Sequence, residues 1–136
     1  LRADMRGLIR DLQQRLGMAV LLVTHDLGVV AQRADQVAVM YAGRIVEQAP
    51  VERLFDAPLH PYTRGLLASV PKLGAERARR LEAIPGMVPD PLHWPSGCRF
   101  RDRCGLAIED CARTDPALAE YGARHLAACL RAGEGA

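Results

Sequence analysis

The hydrophobic positions of this 136-residue chain change their spacing along the sequence, and each spacing predicts one kind of element. Residues 18–24, MAVLLVT, form the continuous apolar run that is typical of a buried strand. Before this run the apolar residues recur at helical spacing, and Gly17 is a typical residue to follow the last helical turn. A helix followed by such a run is half of a parallel-sheet unit, so the pattern predicts an α/β fold. The helical positions are Leu1, Met5, Leu8, Ile9, Leu12 and Leu16.

Short elements are predicted between residues 25 and 70. Asp26 has a side chain that can cap a helix N-terminus, and Pro61 suits the first turn of another helix. The predicted elements are a helix over 27–34, an antiparallel hairpin over 36–48 with its turn at Ala42-Gly43, a helix after Pro50 that ends before Pro58, and a helix over 60–70 that ends before Pro71.

The composition changes after residue 70. The segment 71–97 contains five prolines, so we expect a short helix over 74–84 and then an extended, irregular crossing. Further along, ALAEY at 117–121 and ARHLAACL at 123–130 predict two more short helices, separated by Gly122. We therefore divide the chain into residues 1–70 and a separate lobe of residues 71–136.

Composition and charge narrow the function classes. The aromatic content is only 4% against 49% hydrophobic residues, which predicts a mostly aliphatic core. The 18 basic and 16 acidic residues are spread over both halves, and this balance argues against a nucleic-acid partner, which would require a basic stripe. No apolar run is long enough to span a bilayer and no signal peptide is visible, so the sequence predicts a cytoplasmic setting.

A histidine and an acid follow the apolar run directly, as Thr24-His25-Asp26. Ligands of parallel α/β sheets bind at the carboxyl ends of the strands, so His25 lies where an imidazole can reach a phosphate or an attacking water. Asp26 can fix the following turn. The alternative is that His25 is a structural or surface histidine, because so short a motif has low specificity.

Three longer stretches resemble one known family. LLVTHDLGVVAQRADQVAVMYAGRIVEQAP, residues 21–50, resembles the segment of ABC-transporter ATPases that carries the switch histidine. LFDAPLHPYTRGLLASVP, residues 54–71, resembles a region peculiar to the ATP-binding subunits of dipeptide and oligopeptide importers. PGMVPDPLHWPSGCRFRDRC, residues 85–104, resembles their C-terminal extension.

The resemblance implies a fold and an activity. It implies the C-terminal portion of a P-loop ABC ATPase domain over 1–70, followed by a small irregular cysteine-containing lobe over 71–136. It also implies a subunit that hydrolyses ATP with Mg²⁺ to energise peptide import, in which His25 contacts the γ-phosphate and helps to position the attacking water. The implied partners are a second ATPase subunit, identical or different, and membrane permease subunits. The implied location is peripheral, on the cytoplasmic face of the membrane.

Other parts of an ABC ATPase are missing from these 136 residues. The sequence contains no GxxxxGK[ST] phosphate loop, no LSGGQ-like signature and no acidic strand end that could hold Mg²⁺. Leu1 already lies on the apolar stripe of the first helix, without a capping signal before it. We therefore expect a C-terminal fragment of a longer subunit that does not hydrolyse ATP alone.

All four cysteines lie in the second segment, with the spacing C-x5-C-x6-C-x17-C. This spacing differs from the paired CxxC knuckles of zinc fingers, and a reducing cytoplasm argues against disulfides. Four thiolates can hold a [4Fe–4S] cluster or a Zn²⁺ ion, and nearby arginines would offset their charge. The alternative is that the cysteines are small buried apolar residues. The cysteines are Cys98, Cys104, Cys111 and Cys129, and the arginines are Arg99, Arg101 and Arg103.

The resemblance adds that some peptide-importer ATPase subunits carry an iron–sulfur cluster in this extension, with a similar cysteine pattern. Together with the irregular spacing, which suits a larger object than a single ion, this favours iron–sulfur over zinc. The second functional hypothesis is a non-enzymatic metal-binding regulatory or interaction module. Among the remaining residues, His125 is an alternative ligand or, as the sequence favours, a solvated histidine or one that supports a ligand, and His60 should begin a helix. Trp94 should fill the core of the second segment.

Overall fold

The computed structural model describes residues 2–70 and 83–134. The helix predicted over 74–84 lies outside these ranges except for its last two positions, which are irregular. The described helices are α1 (Arg2–Leu16), α2 (Leu27–Arg33), α3 (Val51–Asp56), α4 (Pro61–Ala68) and α5 (Asp110–Arg113), with one 3₁₀ turn at Arg101–Arg103. The described strands are β1 (Gln36–Tyr41), β2 (Arg44–Pro50), β3 (Ala119–Glu120) and β4 (Leu126–Ala127).

The four described strands form one antiparallel sheet in the order β1-β2-β4-β3. The β1–β2 hairpin turns at Ala42 and Gly43, which both have positive φ angles, of 47° and 76°. Two positive φ angles in a two-residue turn match the right-handed twist of the flanking strands. The fold is therefore mixed α/β, as predicted, but the prediction of a parallel sheet is wrong for the described residues.

The apolar run 18–24 does not form a strand. It crosses irregularly between α1 and α2, and its side chains are exposed, with Leu21 92% and Val23 89% accessible. An extended segment needs a neighbouring strand to satisfy its backbone hydrogen bonds, and the described part of the chain pairs none with it. The strand prediction for 18–24 therefore failed because it rested on apolar composition alone, and a strand also needs a partner strand.

The first helix, the hairpin and the short helices α2 to α4 are confirmed. Gly17 follows α1 with a φ of 61°. Asp26 caps α2 by accepting the backbone N–H of Val29 on its side chain. His60 caps α4, where its Nδ1 accepts the N–H of Tyr62 and Pro61 occupies the first turn. These helix starts were predictable because each is fixed by residues next to it in sequence.

The two helices predicted over 117–121 and 123–130 are wrong. The first stretch contains β3 and the second contains β4. Between them Gly122, Ala123 and Arg124 all have positive φ angles, and the N–H of Tyr121 donates to the carbonyl of His125 at 2.8 Å. The tight turn lets β4 pair with β2, so a long-range contact overrides the local helical preference.

The core lies between the hairpin, α3 and α4, and its centre is aromatic. The ring of Phe100 packs against Tyr41 at 5.1 Å and Tyr62 at 5.5 Å, and the two tyrosine rings lie 4.7 Å apart. The prediction of a mostly aliphatic core therefore missed that the few aromatic residues gather at one place. The buried residues of this cluster are Val39, Tyr41, Val46, Ala49, Leu54 and Phe100.

Residues from both predicted segments build this sheet and core. Strand β2 comes from residues 1–70 and pairs with β4, which comes from residues 71–136. The boundary between the segments lies within 71–82, outside the described ranges, and stays a prediction. Of the described helices, none combines the length and the apolar character that crossing a membrane requires.

Candidate functional site

His25 lies in an exposed turn between the apolar run and α2. The backbone N–H of Asp26 donates to Thr24 Oγ1 at 3.0 Å, and Asp26 Oδ1 accepts the N–H of Val29 at 3.1 Å. These two hydrogen bonds fix the backbone on either side of His25, so the structural role predicted for Asp26 is confirmed. The exposed imidazole is free to contact a ligand, and its contact with nucleotide stays a prediction.

The four cysteines line a single cleft that is partly open to solvent. All four are free thiols, with Cys111 buried and the others half-buried. His60, Arg101 and Arg131 contribute to the same walls. Although 18 sequence positions separate Cys111 from Cys129, the fold brings them to one place, as the sequence analysis expected for a shared site.

Cys98 and Cys111 are tied together through the backbone. The N–H of Cys98 donates to the carbonyl of Cys111 at 2.8 Å. Gly97, with a φ of +64°, lies so close to this segment that a Cβ atom would collide with the carbonyl oxygen of Cys111 and the backbone of Ala112. Only glycine combines this φ with so close an approach. Gly97 therefore sets the distance between these two cysteines.

The 3₁₀ turn and β4 deliver the other two thiols. The N–H of Cys104 donates to the carbonyl of Arg101 at 3.2 Å, so the turn returns the chain to the cleft. Cys129 follows β4, which is held to β2 because the N–H of Ala128 donates to the carbonyl of Val46 at 2.8 Å. The N–H of Arg131 then donates to Cys129 Sγ at 3.3 Å.

Burial raises the pKa of Cys98, Cys104 and Cys129 above the usual thiol value, because a buried thiolate loses hydration. A backbone N–H two residues further along opposes the rise in pKa at each of these sulfurs: that of Phe100 at Cys98, that of Leu106 at Cys104 and that of Arg131 at Cys129. The thiols are therefore protonated in the free cleft at neutral pH, while the amides are placed to stabilise sulfur that becomes negative on ligation.

The four thiols line the cleft but do not converge at the distances that ligands of one metal ion have. Across the described ranges, no three His, Cys, Asp or Glu side chains form the close set that a single metal ion needs. A tetrahedral zinc ion with bonds of about 2.3 Å would hold its sulfurs about 4 Å apart. The common cleft and the absence of a close set are both compatible with a donor set for a group larger than one ion.

The three arginines that were predicted to offset the thiolate charge do not all lie beside the thiols. Arg101 does line the cleft, but Arg99 and Arg103 do not. Arg99 donates to the carbonyl of Ala42 in the hairpin turn at 2.5 Å and stacks on Trp94 at 4.6 Å, so Trp94 is half-buried against a cation rather than in the core. Arg103 donates to the backbone carbonyls of residues 84 and 85, at 3.1 and 2.7 Å.

A buried carboxylate next to the cleft was missed by the sequence analysis. Glu47 in β2 is 0% exposed, and its two oxygens accept three hydrogen bonds. The donors are the N–H of Leu59 at 2.7 Å, the N–H of His60 at 2.9 Å and Nε2 of His125 at 2.7 Å. Such a carboxylate is fully hydrogen-bonded, as a buried charge must be. Its only sequence signal was an acidic residue inside an apolar strand.

His60 connects this carboxylate to the cysteine cleft. Its backbone N–H binds Glu47, and its ring packs 5.7 Å from Phe100 and lines the cleft. Burial lowers the pKa of His60 from 6.5 to about 4, with Arg64 adding to the shift and Glu47 opposing it. The imidazole is therefore neutral at neutral pH, which is consistent with its role as the acceptor for Tyr62 N–H.

Comparisons with known proteins agree with these segments. Residues 46–111 match the family model described as the oligopeptide/dipeptide transporter C-terminal region. A putative peptide import ATP-binding protein of Brucella ovis is 48% identical over 96% of this chain. A probable peptide ABC transporter ATP-binding protein of Sinorhizobium fredii is 50% identical over 98% of it. The chain spans about 40% of the length of these relatives.

The match over 46–111 includes most of β2, the His60 cap and the first three cysteines, and the relatives extend the similarity across His25 and Cys129. Identity near 50% over almost the whole chain is not confined to one motif. Residues 46–111 are therefore similar to the oligopeptide/dipeptide transporter C-terminal region, and along nearly its whole length the chain is homologous to peptide import ATP-binding proteins.

Proposed function

We propose that this chain is part of an ATP-binding, ATP-hydrolysing subunit that energises peptide import through an ABC transporter. The observation that carries the proposal is 48–50% identity, over nearly the whole chain, to proteins named for peptide import and ATP binding. In this proposal residues 1–70 are the C-terminal portion of the P-loop ATPase domain. Residues 71–136 are the extension particular to this transporter family.

His25 is the residue through which this chain contacts nucleotide in the proposed subunit. Its turn is held by Thr24 and Asp26, and its exposed ring can donate a hydrogen bond to a γ-phosphate oxygen. Charge spreads over the phosphoryl oxygens in the transition state, so a fixed donor stabilises it more than the ground state. The phosphate loop and the Mg²⁺ ligands belong to the longer protein.

The proposed partners follow from the same role. A second ATPase subunit, identical or different, forms the dimer that encloses ATP, and membrane permease subunits receive the conformational change. This arrangement places the subunit peripherally on the cytoplasmic face of the membrane. The present chain, which contains no phosphate loop in its sequence, should by itself show no ATP turnover above a blank.

The test uses the full-length subunit with its partners. His25→Ala should lower ATP hydrolysis by about 10²–10³-fold, the usual loss for one preorganised donor, while ATP binding changes much less. His93→Ala is the matched control, because His93 is also exposed but lies in the irregular crossing. Equal losses of binding and hydrolysis would make His25 a residue that supports the fold, and full activity of the variant would remove it from the site.

We further propose that Cys98, Cys104, Cys111 and Cys129 bind a [4Fe–4S] cluster. Two observations support this: the four thiols share one cleft, and the backbone N–H of Arg131 donates to Cys129 Sγ, where it would stabilise a thiolate. When bound, such a cluster supplies one-electron chemistry and a rigid cross-link. The alternative occupant is Zn²⁺, which would require the thiols to move closer together.

Anaerobic reconstitution with iron and sulfide tests the cluster. The protein should turn brown, with broad absorption near roughly 400 nm and about four irons per chain. Cys111→Ser should abolish the colour, whereas His93→Ala, which alters an exposed residue that does not line the cleft, should keep it. A colourless protein with about one zinc would replace the cluster by zinc. Metal-free protein whose stability is unchanged by Cys104→Ser and Cys111→Ser would remove both.

The second candidate function is a non-enzymatic metal-binding regulatory or interaction module. It is favoured by the observation that the four cysteines of this chain line one cleft. The two functions separate in the full-length protein: a module of this kind would bind the metal but leave ATP turnover unaffected by His25→Ala.

A further inference from the structure

A fully buried carboxylate joins three segments of the chain, and two of them lead directly into the cysteine cleft. Glu47 lies in β2, Leu59 and His60 precede α4, and His125 precedes β4. His60 itself lines the cleft, and the chain that leaves β4 carries Cys129 into it. One side chain therefore holds both the residue beside the thiols and the strand that delivers the last thiol.

Both oxygens of the carboxylate accept hydrogen bonds, three in total. Oε1 accepts from Leu59 N–H at 2.7 Å and from His125 Nε2 at 2.7 Å, while Oε2 accepts from His60 N–H at 2.9 Å. Hydrogen bonds to an ionised acceptor are roughly twice as strong as neutral ones, and buried sites increase the penalty for breaking them. A glutamine in place of Glu47 would replace one acceptor oxygen by an N–H₂ group, which would face an N–H donor and could not accept its hydrogen bond.

The strand that Glu47 holds is short. Strand β4 contains two residues, Leu126 and Ala127, with pairing to β2 at Glu47 and Gln48. On its other side it pairs with β3, which also has only two residues and lies at the edge of the sheet, and the hydroxyl of Tyr121 donates to the carbonyl of Cys129 at 3.1 Å. Towards the interior this segment is also held by the bond from Ala128 N–H to the carbonyl of Val46 and the bond from Gly133 N–H to the carbonyl of Leu59. The latter again depends on Leu59, whose own N–H is bound by Glu47.

Cys98 and Cys111 have independent support. They are tied to each other by their backbone bond, and Ser96 Oγ donates to the carbonyl of Ala112 at 2.9 Å. Arg101 adds a bond to the same carbonyl at 3.3 Å. None of these groups touches Glu47, so the cleft has one half fixed locally and another half fixed through the carboxylate.

We propose that Glu47 is the positioning residue of the cysteine cleft, and that it places Cys129 opposite Cys98 and Cys111 by holding His125 and the start of α4. This role of Glu47 goes beyond the proposed cluster, because it concerns the shape of the cleft in the metal-free chain. It rests on the proposed cluster only for the reason why Cys129 should be held near the other thiols. Glu47 acts through β4 and does not itself contact the bound group.

The test is the alkylation rate of each cysteine in the metal-free full chain, measured by mass spectrometry under native conditions. Glu47→Gln should raise the rate at Cys129 by about tenfold or more, the local opening expected when a charge-assisted hydrogen bond is lost. The rates at Cys98 and Cys111 should stay within about twofold, because their hydrogen bonds are unchanged. Leu54→Ala is the control: it weakens the core at α3, which supplies none of the three donors to Glu47, and should show no preference for Cys129.

A second pair of variants keeps the test decisive if Glu47→Gln unfolds. His125→Ala removes one donor, and His125→Gln restores an N–H at a similar position. Cys129 should become selectively reactive in the first variant and return toward the wild-type rate in the second. Uniform reactivity of all four thiols in His125→Ala, or a wild-type rate at Cys129, would overturn the inference. Because no metal is used, selective reactivity in a protein that never binds iron would defeat the cluster proposal alone.

Discussion

The apolar run 18–24 and the hairpin 36–50 are both rich in apolar residues but have very different surroundings. Leu21 is 92% exposed in the run, whereas Leu54, which packs beneath the hairpin, is 0% exposed. The two strands of the hairpin pair with each other across a two-residue turn, and β2 also pairs with β4 from the second segment. The run has no paired strand in the described part of the chain, so its apolar side chains gain no burial.

The difference separates what a sequence prefers from what its surroundings allow. A strand is stabilised by cross-strand pairs and by its neighbours, and β-propensity reflects that fit. Since the homologous proteins are longer than this chain, we expect that the run pairs with strands of the longer protein. The hairpin and the cysteine cleft should need no such addition. Each prediction below compares a residue in a packed region with a matched position elsewhere.

The largest expected effect is at the core. Leu54→Ala should lower the free energy of unfolding by about 2–5 kcal/mol, because it leaves a cavity under β2. Leu21→Ala should change it by no more than about 0.5 kcal/mol in the same chain, because the side chain is already in water. Chemical denaturation of both variants measures the comparison. Similar losses at the two positions would mean that the run 18–24 is packed in solution.

The next effect is a pH dependence at His60. Its pKa is about 4 in the folded protein against 6.5 in the unfolded chain, so between these values only the unfolded state takes up the proton. The stability from His60 is present above pH 6.5 and is lost as the pH falls toward 4, to a total of about 3 kcal/mol at most. Glu47, Arg64 and the cleft thiols face this ring.

The measurement is the free energy of unfolding between pH 7.5 and 4, taken from denaturation at each pH. His60→Asn should flatten the loss because asparagine can cap α4 without titrating here. His93→Asn, at an exposed histidine, should keep the wild-type slope. If the wild type and His60→Asn lose stability in parallel, the acid sensitivity arises at another group.

Local signals explain how much of the fold was predictable. Asp26, Gly17, Pro61 and the Ala42-Gly43 turn each act on their immediate neighbours, and the elements that they begin, end or turn are all confirmed. The helices predicted around Gly122 failed because β4 is set by its pairing with β2, far away in sequence. A local pattern contains no information on such a partner.

The candidate site likewise has features that the sequence predicted and features that it did not. Clustering of the cysteines in sequence predicted a shared site, and all four do line one cleft. Glu47 and His125 are separated by 78 positions, so no spacing could connect them. Arg99 and Arg103 carried a charge that matched the thiols, but their guanidinium groups bind backbone carbonyls of the hairpin turn and the crossing. Charge near a site in sequence did not establish contact with it.

The smallest expected effect compares two glycines. Gly97→Ala should lower the free energy of unfolding by more than about 1 kcal/mol, since alanine fits neither the positive φ nor the close approach to Cys111. Gly105→Ala, where a Cβ would meet open space, should have little effect or stabilise slightly. Thermal unfolding of both variants measures the difference. Equal stability of the two variants would mean that residues 97 and 111 are not in contact.

Hydrogen exchange of the backbone amides tests the contrast between the two regions most directly. In this chain the amides of residues 18–24 should exchange almost as fast as in an unstructured peptide, while the hairpin amides of 36–50 are protected. In the full-length protein both segments should be protected, because the run then has its partner strands. Protection of 18–24 already in this chain, or fast exchange of 18–24 in both proteins, would contradict the account.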